Sequence, residues 1–309
     1  MQTPEKNIIA KTITGKTNIV GLIGWPVSHS ISPPMHNAAF AELGLDWCYV
    51  PFPVRGDSTN TGSNEMVEKA VYGLVGLGIR GSNVTVPHKQ AVMPFMDHLT
   101  DAAKAIGAVN TIRVEEDGTL LGDNTDGRGF IADLRDHGVD PAGKRALVLG
   151  AGGSARAVVF GLAEAGCKAV TIRNRTVSKA EELAAAMTPY FPNCAITAQT
   201  NSDSTATLVA ANNEADLVIN STSLGMTPHV ETMPWHEDVA FRPDQVLYDL
   251  VYNPPVTRIM QHAQTGGAQA ICGLGMLVWQ GAIAFELWTH QEAPAEVMRQ
   301  TVETIFANK

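Results

Sequence analysis

Two stretches combine residue types and spacings suited to holding a dinucleotide. Gly150-Ala151-Gly152-Gly153-Ser154-Ala155 fits the pattern G-x-G-x-x-A. Before it stand four apolar residues, Ala146 to Leu149; after it comes an apolar helical pattern of Ala157, Val158, Phe160, Gly161, Leu162 and Ala165. Strand, glycine turn and helix start, in that order, form the context in which a pyrophosphate binds. Gly150 permits the tight turn, Gly152 lets the backbone approach the phosphates, and Ala155 is small enough for close helix–strand packing. The free N–H groups and dipole at the helix start attract the anion. A glycine turn alone ends many strands, so the flanking elements carry the reading. The second stretch, Arg173-Asn174-Arg175-Thr176 followed by Ser178-Lys179, begins at the next strand end, and no carboxylate appears before Glu181. An acidic residue here would hold free ribose hydroxyls. Two cations and a hydroxyl instead suit a 2′-phosphate, which pairs strongly with guanidinium and ammonium. The expected cofactor is therefore NADP.

A different set of polar loops lies earlier in the chain. Ser28 to Ser32, Thr85 to Lys89, Asn110 and Asn124 to Asp126 all fall at the ends of predicted strands. In open α/β sheets ligands bind beyond the carboxyl ends of the strands. These loops are the expected walls of a substrate site.

The elements that must position them follow from apolar runs and breakers. Strands are predicted at 19–24, 47–53, 81–86, 108–114, 120–121, 146–149, 169–172, 195–198, 217–220 and 246–250. Helices are predicted at 35–43, 64–77, 102–107, 130–137, 178–187, 257–265, 276–289 and 293–306. A further helix is expected within 188–213, and His88-Lys89-Gln90 is expected to open another. Pro33 and Pro34 suit a first helical turn, with Ser32 as N-cap, ligand or both. Asp117-Gly118 reads as a hairpin turn. Residues 1–18 read as a frayed leader. Alternation of strand and helix throughout predicts parallel α/β sheets.

The bulk numbers exclude other classes. The chain has 309 residues, 17% charged and 45% hydrophobic, with a net charge of −9 and no basic block. That argues against nucleic-acid binding. No apolar run approaches the ~18 residues of a membrane span, and Met1 to Thr17 lacks a signal-peptide core. The four cysteines are scattered without a C-x-x-C, so neither a disulfide framework nor a metal site is expected, and a cytoplasmic location is.

Several segments together resemble the shikimate dehydrogenases. They are Ser30-Ile31-Ser32-Pro33, Asn83-Val84-Thr85-Val86-Pro87-His88-Lys89, Gly107-Ala108-Val109-Asn110-Thr111, Gly122-Asp123-Asn124-Thr125-Asp126-Gly127, Gly150 to Ser154, Asn174-Arg175-Thr176, and Gly273 to Gln280. Any one is weak; seven in chain order span nearly the whole sequence. The resemblance implies an N-terminal α/β substrate domain (1–126, completed by helices in 273–309) and a Rossmann-type parallel-sheet NADP domain (127–272), with a cleft between them. It implies reversible NADP-dependent reduction of 3-dehydroshikimate to shikimate. Lys89 and Asp126 match the family's catalytic pair, and Ser30, Ser32, Thr85, Asn110, Tyr252 and Gln280 its substrate contacts. Gly150, Ala151, Gly152, Gly153, Ser154, Asn174, Arg175, Thr176, Lys179, Thr222, Gly273 and Met276 fall on the cofactor side. A homodimer stays open.

The chemistry agrees with these roles. Two serines and a tyrosine can donate to a carboxylate, while Asn110, Thr85 and Gln280 can donate and accept toward hydroxyls. Hydride transfer to a ketone creates alkoxide charge that needs a proton donor. A free lysine titrates at ~10.4; burial lowers that value and a carboxylate raises it. Which member of the pair moves the proton is therefore open. His29, His88, Asp123 and Asn124 read as structural. Lys179 stands where NADP-specific members often carry arginine. Trp279 and Val251-Tyr252-Asn253-Pro254 also occur in relatives that accept quinate and NAD, which keeps that specificity open. A non-catalytic binder of NADP and shikimate is the reading from another class, disfavoured by the presence of both Lys89 and Asp126.

Overall fold

Five apolar residues from Val20 to Gly24 are wholly buried, which places their strand inside a sheet rather than at its edge. A computed structural model describes residues 12–56, 65–200 and 205–307. The leader expected over 1–18 lies outside these residues up to position 11, as does Asn64, the expected start of a helix.

In chain order the first part comprises β1 (Asn18–Gly24), α1 (Ser32–Glu42), β2 (Trp47–Pro53), α2 (Glu65–Gly76), β3 (Gly81–Val84), β4 (His98–Leu99), α3 (Asp101–Ile106), β5 (Thr111–Val114) and β6 (Leu120–Asp123). Its sheet runs β2-β1-β3-β5-β6-β4. The sheet is mixed, not parallel as the alternation predicted: β5 pairs antiparallel with both β3 and β6. The cause is the Asp117-Gly118 turn, where Gly118 holds a φ of +88° and reverses the chain with no room for a crossover helix. No helix opens at His88 either. Turns lead to one 3₁₀ turn at Met93–Phe95. Pro94 removes a donor there, and the Lys89 carbonyl accepts from the Val109 N–H at 2.8 Å, so tertiary pairing replaces a helical bond.

The second part comprises α4 (Asp126–Asp136), β7 (Arg145–Leu149), α5 (Gly153–Glu164), β8 (Ala169–Asn174), α6 (Val177–Met187), β9 (Ala195–Thr200), α7 (Thr205–Glu214), β10 (Leu217–Asn220), β11 (Val246–Asp249), α8 (Arg258–Thr265) and β12 (Gln269–Cys272). All its strands are parallel, in the order β12-β11-β10-β7-β8-β9, the doubly wound arrangement. The edge strands β4 and β12 carry no apolar run that sequence reading could see. The chain ends with α9 (Leu274–Thr289) and α10 (Ala295–Ala307), whose Phe285, Trp288, Met298 and Val302 pack on the first sheet with Phe40 and Tyr49.

Helix α4 is the joint between the two sheets. It packs against α5 on one side and α9 on the other. Both crossings need glycine. A Cβ on Gly127 would lie 2.7 Å from the Ala157 carbonyl of α5, and one on Gly129 would lie 2.6 Å from the Gln280 nitrogen of α9. The far end is tied by the Tyr248 hydroxyl donating to Asp133 Oδ2 (2.7 Å) and the Trp279 indole donating to Asp136 Oδ2 (2.7 Å). Asp126, Ser154 and Gln280, from three helices, are thereby brought to one place.

Candidate active site

A cleft of about 290 Å3 opens at the carboxyl ends of both sheets. Ser32 at the start of α1, Asn83 of β3, Thr85 and Lys89 after β3, Asn110 before β5 and Asp126 at the start of α4 line it together with Ser154, Tyr252, Gly273, Met276 and Gln280. Ten of the residues read from the sequence thus share one cavity.

Lys89 follows the turn after β3 and is held by its own carbonyl's bond to Val109. Its Nζ donates to Asp126 Oδ2 at 2.7 Å, with the lysine side chain 31% and the aspartate 15% exposed. Asp126 occupies the first turn of α4, where the helix dipole favours a carboxylate. Its second oxygen accepts from Asn110 Nδ2 at 2.7 Å. Asn110 in turn accepts from the Thr125 N–H at 2.8 Å. The carboxylate is therefore clamped from both sides, and the ammonium is pinned at the cleft surface.

Ser32 does not cap α1. The N-cap is Ile31, without a side-chain cap bond, and Ser32 is the first helical residue. Had Ser32 been the N-cap, Pro34 would supply no N–H two residues on, and the Met35 N–H instead reaches the Ile31 carbonyl (3.2 Å). Ser30 Oγ accepts from the Ser32 N–H at 3.2 Å, so Ser30 orders the turn and Ser32 faces the cleft. Ser30 itself is not among the groups that line the cavity. Tyr252 lines the cavity with its ring edge-on to Phe306 of α10 at 5.6 Å, and burial raises its phenol's pKa. Gln280 folds its amide back on the Leu277 carbonyl (2.9 Å). His88 is buried with Nε2 2.7 Å from the Val54 carbonyl, and Asp123 accepts from Thr100 and the Asn124 N–H, structural positions as expected.

Sequence reading did not single out Asn83, although it stands in a quoted motif. It is 5% exposed and lines the cleft. Its signal was a polar residue in an otherwise buried strand, where an unpaired amide would be costly.

The dinucleotide residues lie along the carboxyl edge of the second sheet. Gly150 adopts a φ of +109°, and a Cβ there would sit 2.7 Å from Ser221 Oγ and 3.2 Å from Thr222 Cγ2, so only glycine fits. Gly152 is the N-cap of α5 with no side-chain cap bond, and nothing lies within 4 Å of a Cβ built on Gly152 or Gly153. Open space beside uncapped N–H groups fits a pyrophosphate. Asn174, Arg175, Thr176 and Lys179 follow β8 or open α6. Arg175, Thr176 and Lys179 are exposed, and the Asn174 amide closes the turn on the Thr176 carbonyl (2.8 Å). Arg173 is turned away and buried, donating to Gln199 and Thr207. Thr222 is fixed by Asn220 Oδ1, which accepts from its hydroxyl at 2.7 Å.

Asp249 supports this edge from below. Its carboxylate accepts from Asn220 (2.8 Å), the Val251 N–H (3.0 Å) and Thr257 (2.5 Å). Burial pushes its pKa up to about 6 despite these bonds. In the unfolded chain an aspartate titrates at ~3.9. The folded state thus holds the extra proton between these values, and stability falls as pH rises through that window and levels above it. Asp249→Asn is expected to abolish this slope. Wild type should lose about 2 kcal/mol relative to the variant between pH 4 and pH 7, read from urea unfolding. Parallel stability curves would contradict the assignment.

A doubly wound sheet with an open glycine turn, facing a polar cleft with a Lys–Asp pair, defines a dinucleotide-dependent oxidoreductase. Three family models match: the shikimate dehydrogenase substrate binding domain over residues 22–112, shikimate / quinate 5-dehydrogenase over 134–250, and the shikimate 5'-dehydrogenase C-terminal domain over 273–303. The chain is 49% identical to the NADP(+) shikimate dehydrogenase of Moorella thermoacetica, covering 93% of this chain and 92% of that one. Among solved structures, shikimate 5-dehydrogenase from Listeria monocytogenes, in complex with shikimate and NAD, matches at a TM-score of 0.86 and 36% identity over 95% of this chain and 99% of that one. The Thermus thermophilus enzyme, in complex with NADP(H) and shikimate, matches at 0.79 and 33% over 93% and 99%. The chain belongs to the shikimate dehydrogenase family.

Proposed function

We propose that this protein catalyses the reversible NADPH-dependent reduction of 3-dehydroshikimate to shikimate. The observation that carries the reading is the shared cavity. The Lys89–Asp126 pair, 2.7 Å apart, and Ser154 at the start of the glycine-turn helix face the same space. The nicotinamide of the bound cofactor supplies or takes the hydride. Lys89 places its ammonium where alkoxide charge develops and holds the proton that the reduced carbonyl oxygen receives. Asp126 holds that ammonium toward the cleft and accepts from the substrate hydroxyl. Ser30, Ser32 and Tyr252 bind the carboxylate, while Thr85, Asn110 and Gln280 take the ring hydroxyls. The dinucleotide is held by Gly150 to Ser154 at its pyrophosphate and by Asn174, Arg175, Thr176 and Lys179 at its 2′-phosphate; Thr222, Gly273 and Met276 face the nicotinamide end. The substrate domain is residues 1–126 with the helices of 273–309, and the NADP domain is 127–272.

The test is a nicotinamide absorbance assay crossing shikimate and quinate with NADP⁺ and NAD⁺. Turnover is expected to be highest with shikimate and NADP⁺; turnover in none of the four would reject the enzyme reading. Ser32→Ala is expected to raise the shikimate KM roughly 10-fold, the effect of losing one hydrogen bond to a charged group. Ser30→Ala should raise it less, because its hydroxyl acts on the Ser32 N–H. An unchanged KM in both would leave the serines with a purely local role. Four free cysteines support a cytoplasmic location. Exposed Met66 and Tyr72 on α2 and Leu77 just beyond its end support a homodimer, which light scattering would read.

A further inference from the structure

Five polar side chains run behind the cleft as one hydrogen-bonded line, and two of them do not line the cavity. The Tyr49 hydroxyl donates to Asn83 Oδ1 at 2.9 Å. Asn83 Nδ2 donates to Thr111 Oγ1 at 3.1 Å and to the Asn110 carbonyl at 3.3 Å. The Thr111 hydroxyl donates to Asn110 Oδ1 at 2.9 Å. Asn110 Nδ2 donates to Asp126 Oδ1 at 2.7 Å, and Asp126 receives Lys89 on its other oxygen. Tyr49 is 1% exposed and Thr111 wholly buried.

The direction of every bond is determined. A carboxylate only accepts, so Asn110 must turn its NH₂ toward Asp126 and its oxygen toward Thr111. Thr111 then donates to that oxygen and keeps its lone pair for Asn83. That requires the Asn83 NH₂ on the Thr111 side and its oxygen toward Tyr49, which must donate. Backbone placement makes this feasible: Asn83 and Thr111 are directly paired residues of antiparallel β3 and β5. The Tyr49 ring is fixed by parallel stacking on His36, with centroids 4.5 Å apart and planes within 3°. Burial lowers the His36 pKa to about 3, so this stack carries no charge at neutral pH.

We propose that Thr111 and Tyr49 are positioning residues for the reaction: Asp126 and the Thr125 N–H dictate the orientation of the Asn110 amide, and Thr111 and Tyr49 hold Asn110 and Asn83 in place by completing their hydrogen bonds, and through Asn110 the aim of the Asp126–Lys89 pair. This rests on the reading of the cleft as a shikimate dehydrogenase site. Thr111 is the centre of the line because its single hydroxyl must both accept and donate. Valine has the same shape and can do neither; serine can do both.

The test compares Thr111→Val with Thr111→Ser in shikimate oxidation. Thr111→Val is expected to lower kcat roughly 5- to 100-fold, the consequence of two buried amides losing a partner, with the NADP⁺ KM unchanged. Thr111→Ser should hold kcat within about 3-fold of wild type, since it keeps both bonds. The pH profile of kcat should move in the valine variant alone. Wild-type kcat in Thr111→Val, or equal losses in both variants, would overturn the proposal. If Thr111→Val does not fold, Tyr49→Phe decides: a kcat loss of about 5-fold or more at constant NADP⁺ KM supports it, and a wild-type value overturns it. Absence of wild-type activity with either substrate and either cofactor would instead reject the underlying reading, and this inference with it.

Discussion

Lys89→Ala is expected to lower kcat for shikimate oxidation by about 10²- to 10⁴-fold, the range for loss of a positioned proton-transfer group. The NADP⁺ KM should change by less than about 3-fold, because Lys89 follows a strand of the first sheet and the dinucleotide residues follow strands of the second. The loss follows from geometry. Lys89 is the cation paired with Asp126, and without it the carboxylate remains clamped by Asn110 but faces developing alkoxide with like charge. Lys89→Arg separates the two duties of the lysine. Arginine keeps the charge, yet does not give up its proton near neutrality. A kcat as low as that of Lys89→Ala would assign proton transfer to Lys89. Substantial recovery would assign it electrostatic stabilisation and leave the proton to Asp126. Steady-state kinetics with all three proteins at saturating NADP⁺ is the measurement, and wild-type kcat in Lys89→Ala would remove the catalytic role.

Arg175→Ala is expected to weaken NADP⁺ about 10- to 100-fold while changing NAD⁺ by less than about 3-fold. The reason is selective charge pairing. Only the 2′-phosphate distinguishes the cofactors, and one charge-assisted bond is worth roughly 1.5–3 kcal/mol. Arg175 is exposed at the end of β8 and makes no ion pair among the described residues, so its guanidinium is available. Lys179 stands in the first turn of α6, whose N-cap, Thr176, makes no side-chain cap bond. The helix start adds donors and a favourable dipole to the two cations. Lys179→Ala should have a smaller effect in the same direction, since ammonium lacks the bidentate fork. KM values for both cofactors, at fixed shikimate, decide the matter. Equal weakening of NADP⁺ and NAD⁺ would move Arg175 away from the 2′-phosphate.

Lys89, Asp126 and Arg175 are legible in the sequence, for different reasons. The glycine turn was legible because its chemistry is local. Strand, positive-φ glycine and helix start follow one another within a dozen residues, and each leaves its own mark. The basic turn was legible by its distance from that motif. Of the two roles open to Ser32, the structure removes the cap, because sequence shows a hydroxyl before two prolines but not which N–H groups remain to be capped. The Asp117-Gly118 hairpin between β5 and β6 is legible in the sequence, but alternation of elements does not reveal that β5 also pairs antiparallel with β3, which makes the first sheet mixed.

What the sequence determined by itself was the set of local devices: apolar strands, glycine and proline breakers, a phosphate-binding turn, a 2′-phosphate turn, and loops of the right donors and acceptors at strand ends. Residue type and short spacing encode these directly. The assembly of the site belonged to the tertiary structure. Lys89 and Asp126 are 37 residues apart in the chain and meet at 2.7 Å. They meet because Gly127 and Gly129 let α4 press between α5 and α9, and because a carbonyl after β3 finds an N–H before β5. Asn110 and Asp126 were legible, but the line that joins them to Tyr49 through Thr111 and Asn83 was not. A buried threonine reads as strand filler until its two amide neighbours, brought together by strand pairing, dictate the direction of its hydrogen bonds.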